Sequence, residues 1–499
     1  MSRTLRLSAL AALICSLFIA VLVIAVPHYR LVAASSPAAK AGSGRANSTE
    51  FKTVSATTTT PASPAAPVLP PGSILFTAKR GQTMDTLVHL YLSQSTFMTG
   101  SEFREAVRSA NANLAHSAYF KADEQIIVPG MDITNWSEKS IPVPKDYEVR
   151  AIYLTGTMAG SQKGVNLVRE WRKAGGNAVV FDVKDSDGII NIPFEHKLAP
   201  TGHKPVISNL PKYTHFLHGL HMHAIARIAI FRDQWMAENR SQLAVHSRRT
   251  GQPWRENGKL VWLDPSNPDY QDYIIALARH AAEAGVDEIQ FDYVRFPAEG
   301  DQKDAKFAFE ATHPDWKRAD VIADFLTRAY AELHQDGVLV SLDVFGVMAW
   351  QRPIDLSHTG QDIVRMAKAC DILSPMIYPS HFFGMDGYKL PGDAPEHFIS
   401  ESMNRFGLIT KDSGVVLRPW LQAFAWRTKT YSPVYIETQV AVAKDKGGIG
   451  FLFWNARNDY SKPFAAMPDM RSNKNGKFLR GDELPGNQAK AAVKIKASS

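Results

Sequence analysis

The chain has only two cysteines in 499 residues, Cys15 and Cys370. Cys15 falls in a hydrophobic leader, so no disulfide framework can hold the folded part, and stability must come from a large core. No Gly-x-Gly-x-x-Gly turn follows the first strand of the repeating region and no Walker loop occurs anywhere, which argues against dinucleotide and nucleotide binding. A compact Lys/Arg stripe is also missing. The net charge of +7 is small for this length and suits an acidic wall or lipid surface better than nucleic acid. What remains is a globular composition, 45% hydrophobic and 21% charged. It is too long for one ordinary domain unless part is linker or a large barrel.

One long apolar run does occur, at 7–26, preceded by Arg3 and Arg6. About 20 such residues can span a bilayer, and the positive flank places the N-terminus in the cytoplasm and the remainder across the membrane. Residues 1–32 are therefore expected to anchor the chain in the inner membrane. The alternative is secretion after cleavage at Val32-Ala33-Ala34, and either route exports the protein. Residues 33–72, rich in Ala, Ser, Thr and Pro, read as a flexible tether. Residues 132–147 read as a second connector, and 469–499 as a basic disordered tail.

Residues 73–131 form a compact unit: an apolar strand at 74–76, the turn Gly81-Gln82-Thr83, two helical stretches, Ala110-Asn111, and a closing Ile126-Ile127-Val128-Pro129. This order resembles the LysM module. It departs from that pattern in the longer insert at 93–101 and in Met84, which stands where the family has Leu. The resemblance implies binding of peptidoglycan or another glycan containing N-acetylglucosamine. A small spacer without ligand is the competing reading.

From 148 to 468 apolar strand-like runs alternate with amphipathic stretches. The runs lie at 150–154, 178–183, 224–231, 287–293, 339–345, 372–378, 415–423 and 449–454, and glycine pairs or singles (Gly175-Gly176, Gly285, Gly337, Gly447-Gly448) mark helix ends. Eight strands alternating with helices predict an α/β fold of the (β/α)8 TIM-barrel type.

Polar residues gather where each strand finishes, the end at which such barrels build their sites. Asp182, Lys184 and Asp185 end the second strand; Arg227 lies on the third; Asp292 and Arg295 end the fourth; Asp343 lies on the fifth. Tyr378 and His381 follow the sixth, Trp420 and Gln422 lie on the seventh, and Trp454 and Asn455 end the eighth. Acids ringed by aromatic side chains suit a carbohydrate, whose apolar faces stack on rings while its hydroxyls meet carboxylates and amides. Glycosidic cleavage needs two carboxyl groups, one to protonate the leaving oxygen and one to attack or activate water. Asp292 is assigned as nucleophile or charge stabiliser, kept ionised by Arg295 or Arg227, Asp343 as general acid, and Asp185 as third catalytic candidate. The other residues named here are assigned to substrate binding. Competing readings make Asp292–Arg295 a structural ion pair, Asp343 a loop cap, Trp420 and Trp454 plain core, and Lys184 a Schiff-base lysine. His221-x-His223 precedes the third strand, away from the strand ends, so neither metal nor cofactor is expected.

The run from Asp287 to Pro297 resembles the signature of a bacterial barrel family catalogued, by inference, as glycoside hydrolases and similar to alpha-amylase-like barrels. Asp182-Val183-Lys184-Asp185, Asp343-Val344-Phe345-Gly346, Tyr378-Pro379-Ser380-His381 and Arg418-Pro419-Trp420-Leu421-Gln422-Ala423-Phe424 match in order. The resemblance implies a hydrolase of an extracellular or cell-wall polysaccharide, with Asp292 at the nucleophile position and Asp343 near the acid. Amylase-like barrels place their arginine two residues before the nucleophile, where this chain has Gln290. The rival from another class is a non-catalytic glycan-binding scaffold of the envelope.

Overall fold

The computed structural model describes residues 69–114, 119–131 and 136–471. The leader, most of the tether and most of the basic tail lie outside the described residues. Among those described, no helix is long and apolar enough to cross a membrane.

The N-terminal unit is built as strand, helix, helix, strand. Ile74–Thr77 pairs antiparallel with Gln125–Val128, and helices Met84–Tyr91 and Gly100–Ala110 pack Leu87, Phe103 and Val107 against Ile126 and Val128. Each helix starts at a threonine. Thr99 accepts from the Glu102 N–H at 3.2 Å while Glu102 accepts from the Thr99 N–H at 3.1 Å, a reciprocal cap. Asn111 locks the second helix to the closing strand, donating to Ile127 O at 2.7 Å and accepting from Ile127 N–H at 2.9 Å. The insert at 93–101 lies on the larger domain. There Lys212 Nζ donates to Leu92 O and Phe97 O, both at 2.5 Å, and Glu102 pairs with Arg169.

The larger domain is a closed barrel of eight parallel staves, numbered here in chain order: Arg150–Leu154, Ala178–Lys184, His223–Ala229, Glu288–Asp292, Leu339–Phe345, Ile372–Ile377, a seventh in two pieces (Val416–Leu417 and Trp420–Gln422), and Phe451–Trp454. The eighth pairs with the first, Phe451 opposite Arg150, and closes the ring. The seventh breaks at Arg418-Pro419 because proline has no N–H for the ladder. Helices Gln162–Ala174, Leu210–Gly219, Pro268–Glu283, Arg318–Gln335, Pro395–Thr410, Pro433–Asp445 and Ser461–Arg471 form the outer layer. The seventh run, expected whole at 415–423, is thus the stave that differs from the sequence expectation. Ile363–Met366 adds a single helical turn, and the last helix runs to Arg471.

Alternate residues of each stave face inward, and the interior is polar at both ends. At the floor, Arg418 Nη1 lies 3.0 and 2.8 Å from the two Glu288 carboxylate oxygens, and His223 Nε2 lies 3.1 Å from Glu288. Burial alone would raise the Glu288 carboxyl; the Arg418 charge and His223 outweigh it and hold the group down at about 2. Removing one member of such a buried pair costs about 3–5 kcal/mol, because the other is left uncompensated. Arg418→Met should lose stability of that size in urea unfolding, and Arg418→Met with Glu288→Leu should recover most of it.

Candidate active site

A register shift decides which residues reach the mouth. The second stave pairs Asp182 opposite Arg227 but Lys184 opposite Ile228, so a bulge lies between them. The extra residue turns Lys184 out of the barrel. Its ammonium donates to Ala229 O at 2.7 Å and pairs with Asp233 at 2.9 Å, wholly buried. Asp185 takes the inward place instead.

Arg227 is the hub. Its Nη1 donates to Asp182 at 2.5 Å and to Asp185 at 3.2 Å, while Nε and Nη2 donate to Asp292 Oδ2 at 3.1 and 2.7 Å. The Tyr153 and Trp454 rings lie 5.6 and 5.4 Å from its guanidinium carbon. Tyr153 also donates its hydroxyl to Asp182 and stacks on Trp454 with centroids 4.1 Å apart. Burial pushes Asp182 up to about 7, with Arg227 pulling the other way. Burial would also raise Asp185, but the Arg227 charge prevails and holds it below the usual carboxylate range.

Asp292 ends the fourth stave. The next residue, Tyr293, sits at φ +53°, a left-handed backbone that is rare for a bulky side chain. That turn aims the Tyr293 N–H at Asp292 Oδ1, 2.6 Å away. It also carries the following residues off the stave, so Arg295 does not pair with Asp292. Arg295 lies between Phe345 at 4.4 Å and Trp262 at 4.6 Å and donates to Phe296 O at 3.0 Å. The expected Asp292–Arg295 partnership is thus replaced by Asp292–Arg227.

Asp343 stands one step beyond the paired residues Phe291 and Leu342, beside Asp292 on the adjacent stave. Trp420 Nε1 donates to its Oδ1 at 2.6 Å. Its Oδ2 is buried without a hydrogen-bond partner. Burial first, then the Asp292 charge, push this carboxyl well above the usual range, while Arg227 and Trp420 pull the other way. Tyr378 adjoins, its hydroxyl raised by burial and then by the Asp343 and Asp292 charges.

The remaining candidates serve the walls. Gln422 accepts from Ser380 N–H at 3.1 Å and donates to Phe424 O at 2.9 Å. Asn455 donates to Ala423 O at 2.6 Å and Asp459 O at 2.8 Å. His381 packs on Tyr378, 5.3 Å between centroids, and burial lowers it to about 4. The structure therefore brings Asp182, Asp185, Arg227, Asp292, Asp343, Tyr378, Trp420 and Trp454 together, and leaves Lys184, Arg295, Gln422 and Asn455 in supporting positions. Tyr153 was missed. Its inward register with Ala151, one residue from the stave's end, was the available signal.

A closed α/β barrel with a carboxylate cluster at the C-terminal ends of its staves defines the class. The chain belongs to the family described as "DUF4015: Putative glycosyl hydrolase domain", whose model matches residues 151–460. Among solved structures, a hypothetical protein from Ruminiclostridium thermocellum is 33% identical, covering 39% of this chain and 97% of that one, with TM-score 0.33. The PgaB (BpsB) glycoside hydrolase domain from Bordetella bronchiseptica is 15% identical, covering 67% and 99%, with TM-score 0.49. The beta-amylase catalytic domain from Paenibacillus polymyxa is 11% identical, covering 65% and 95%, with TM-score 0.42. No curated protein matches the chain.

Removing the hub should expose its role. Arg227→Met leaves carboxylates buried without their cation, at a cost of about 3–5 kcal/mol near pH 7. Their folded-state pKa values then lie above the unfolded ones, so the loss grows as pH rises above the unfolded carboxylate range. Chemical unfolding at several pH values should show the variant approaching wild type near pH 4.

Proposed function

We propose that the chain is a glycoside hydrolase of an extracellular or cell-wall polysaccharide, with Asp343 as general acid and Asp292 as nucleophile. The observation that carries this reading is the contrast between two neighbouring carboxyls. Asp292 is ion-paired with Arg227, whereas Asp343 is pushed toward its neutral form with one oxygen unpartnered. A carboxyl paired with a guanidinium beside one without an ion-pair partner is the contrast that a nucleophile and an acid require.

In the reaction, the Asp343 O–H protonates the glycosidic oxygen as its bond to the anomeric carbon breaks, and Asp292 takes up that carbon from the opposite face. Water, activated by the now ionised Asp343, then releases the sugar. Arg227 stabilises the Asp292 carboxylate as leaving group in that second step. Asp185, at the rim with its side chain 40% exposed, is placed to bind substrate hydroxyls or to act as an auxiliary carboxylate. Trp454, half-buried, offers a stacking surface, and the buried Tyr378 backs the acids from behind.

Because Asp292 is proposed as a nucleophile that takes up the anomeric carbon covalently, retention is the outcome that this reading predicts. The LysM-like unit is proposed to hold the enzyme on peptidoglycan or a related N-acetylglucosamine glycan, and the leader to tether it to the inner membrane, so that the barrel works outside the cytoplasm.

The test is release of reducing ends from purified peptidoglycan and a panel of α- and β-glucans. Asp292→Asn and Asp343→Asn should each lose turnover by a factor of roughly 10³ or more while retaining glycan binding. Proton NMR of the first product should show the substrate's anomeric configuration. Binding without turnover in the wild type would instead favour a glycan-binding scaffold.

A further inference from the structure

The lip beyond the sixth and seventh staves carries a cation that the reaction above does not use. Arg427 is exposed, and its guanidinium carbon lies 4.5 Å from the Trp426 ring centroid and 5.1 Å from that of Phe383. Two aromatic rings flank the guanidinium, and a guanidinium held on rings keeps its N–H groups for a planar anion. Among the described residues, no ion pair engages it.

The loop that holds Arg427 is fixed from several sides. Asp393 Oδ1 accepts from Thr428 Oγ1 at 2.8 Å, from Lys429 N–H at 2.6 Å and from Thr430 N–H at 3.2 Å. Gln422 ties the same loop to the one bearing His381 through Phe424 O and Ser380 N–H. Arg427 itself sits at φ +48°, a left-handed conformation that is strained outside glycine and persists only where neighbours impose it. Its carbonyl presses on Gly392, where a Cβ would come within 2.2 Å. A strained backbone that holds a stacked charge in the open fits a binding residue better than a solvated one. Ring contacts connect this lip to the wall of the proposed site, from Trp426 to His381 at 5.0 Å and from His381 to Tyr378 at 5.3 Å.

We propose that this lip is a carboxylate-recognition subsite, so that the preferred glycan carries an acidic sugar a few units from the cleaved bond. The proposal rests on the hydrolase reading for its place in catalysis. The shared chemistry is a sugar carboxylate, which could belong to the lactyl ether of a peptidoglycan strand or to a uronic acid.

The full chain is assayed on peptidoglycan strands stripped of peptide and on oligogalacturonides, each beside its carbodiimide-amidated, uncharged form. Binding of the same four probes to Asp343→Asn is measured by calorimetry. A charge-assisted pair contributes about 1.5–3 kcal/mol, so the carboxylated form of one probe should be favoured about tenfold or more in KM or Kd. Which probe shows the preference identifies the source of the carboxylate. Arg427→Asn should bring that preference to about one while its thermal midpoint holds or rises, because Asn tolerates the left-handed backbone. Arg427→Lys should keep part of the preference. A wild type without preference, or a preference that survives Arg427→Asn, overturns the proposal. Preference in binding without turnover on any glycan upholds the subsite and removes the hydrolase reading. Turnover without preference does the reverse.

Discussion

One guanidinium shared among three carboxylates is the constraint on which the mouth of this barrel depends. Arg227 is almost wholly buried, and so are Asp182 and Asp292. Charges in such a place cost several kcal/mol each unless they are paired and hydrogen-bonded. The pairing follows from strand geometry. Asp182 stands opposite Arg227 in the ladder, and Arg227 stands opposite Gln290, one inward step below Asp292. The long side chain reaches up that step, and its fork then meets acids on both neighbouring staves. Closure of the ring matters equally. Only because the eighth stave pairs with the first do Trp454 and Tyr153 stack together beside the guanidinium.

The same arrangement recurs one level down. The fourth stave presents Glu288, Gln290 and Asp292 to the interior in turn, and the two acids meet arginines from different staves, Arg418 at the floor and Arg227 at the mouth. Between them Gln290 donates to Ser374 Oγ at 3.3 Å. A polar axis of this kind is an expensive way to fill a barrel, since apolar residues of similar volume pack there at no electrostatic cost. What it supplies at the mouth is a fixed field. Asp343 borders that field without an arginine in contact, so its carboxyl answers to burial and to the Asp292 charge.

Much of this was legible in the sequence, for identifiable reasons. The staves are short, buried on both faces and bounded by glycine or helix signals, and the first and fifth ran as expected from end to end. The acids were legible because a charge at the end of a buried strand is costly unless a cleft or an opposite charge receives it. Their partners were not. Arg295 is near Asp292 in sequence, yet the left-handed turn at Tyr293 sends it among rings, and the true partner comes from another stave. The bulge that turns Lys184 outward has no residue signature, so a simple period-two reading misplaces it. Gln422 and Asn455 looked like sugar ligands because amides often are. In the fold their hydrogen-bonding capacity goes to loop carbonyls and N–H groups that would otherwise be unsatisfied.

The position of a single proton then follows from what tryptophan can do. An indole N–H donates and never accepts, so the Asp343 oxygen that faces Trp420 must be the acceptor. If the neutral carboxyl carries its hydrogen, that hydrogen sits on the other oxygen, the one with no partner inside the protein. Trp420 therefore fixes which oxygen of Asp343 is left to hold a proton, and it draws on no mobile group to do so, being buried itself. The proline before it contributes by interrupting the seventh stave, which pairs in two short pieces on either side of Arg418-Pro419. Arg418 and Trp420, two residues apart and both inward, serve the floor acid and the mouth acid respectively. One broken strand thus supplies Arg418, whose charge holds the Glu288 carboxyl down at the floor, and Trp420, which orients the Asp343 carboxyl at the mouth, while burial and the Asp292 charge, against the pull of that indole, are what raise Asp343.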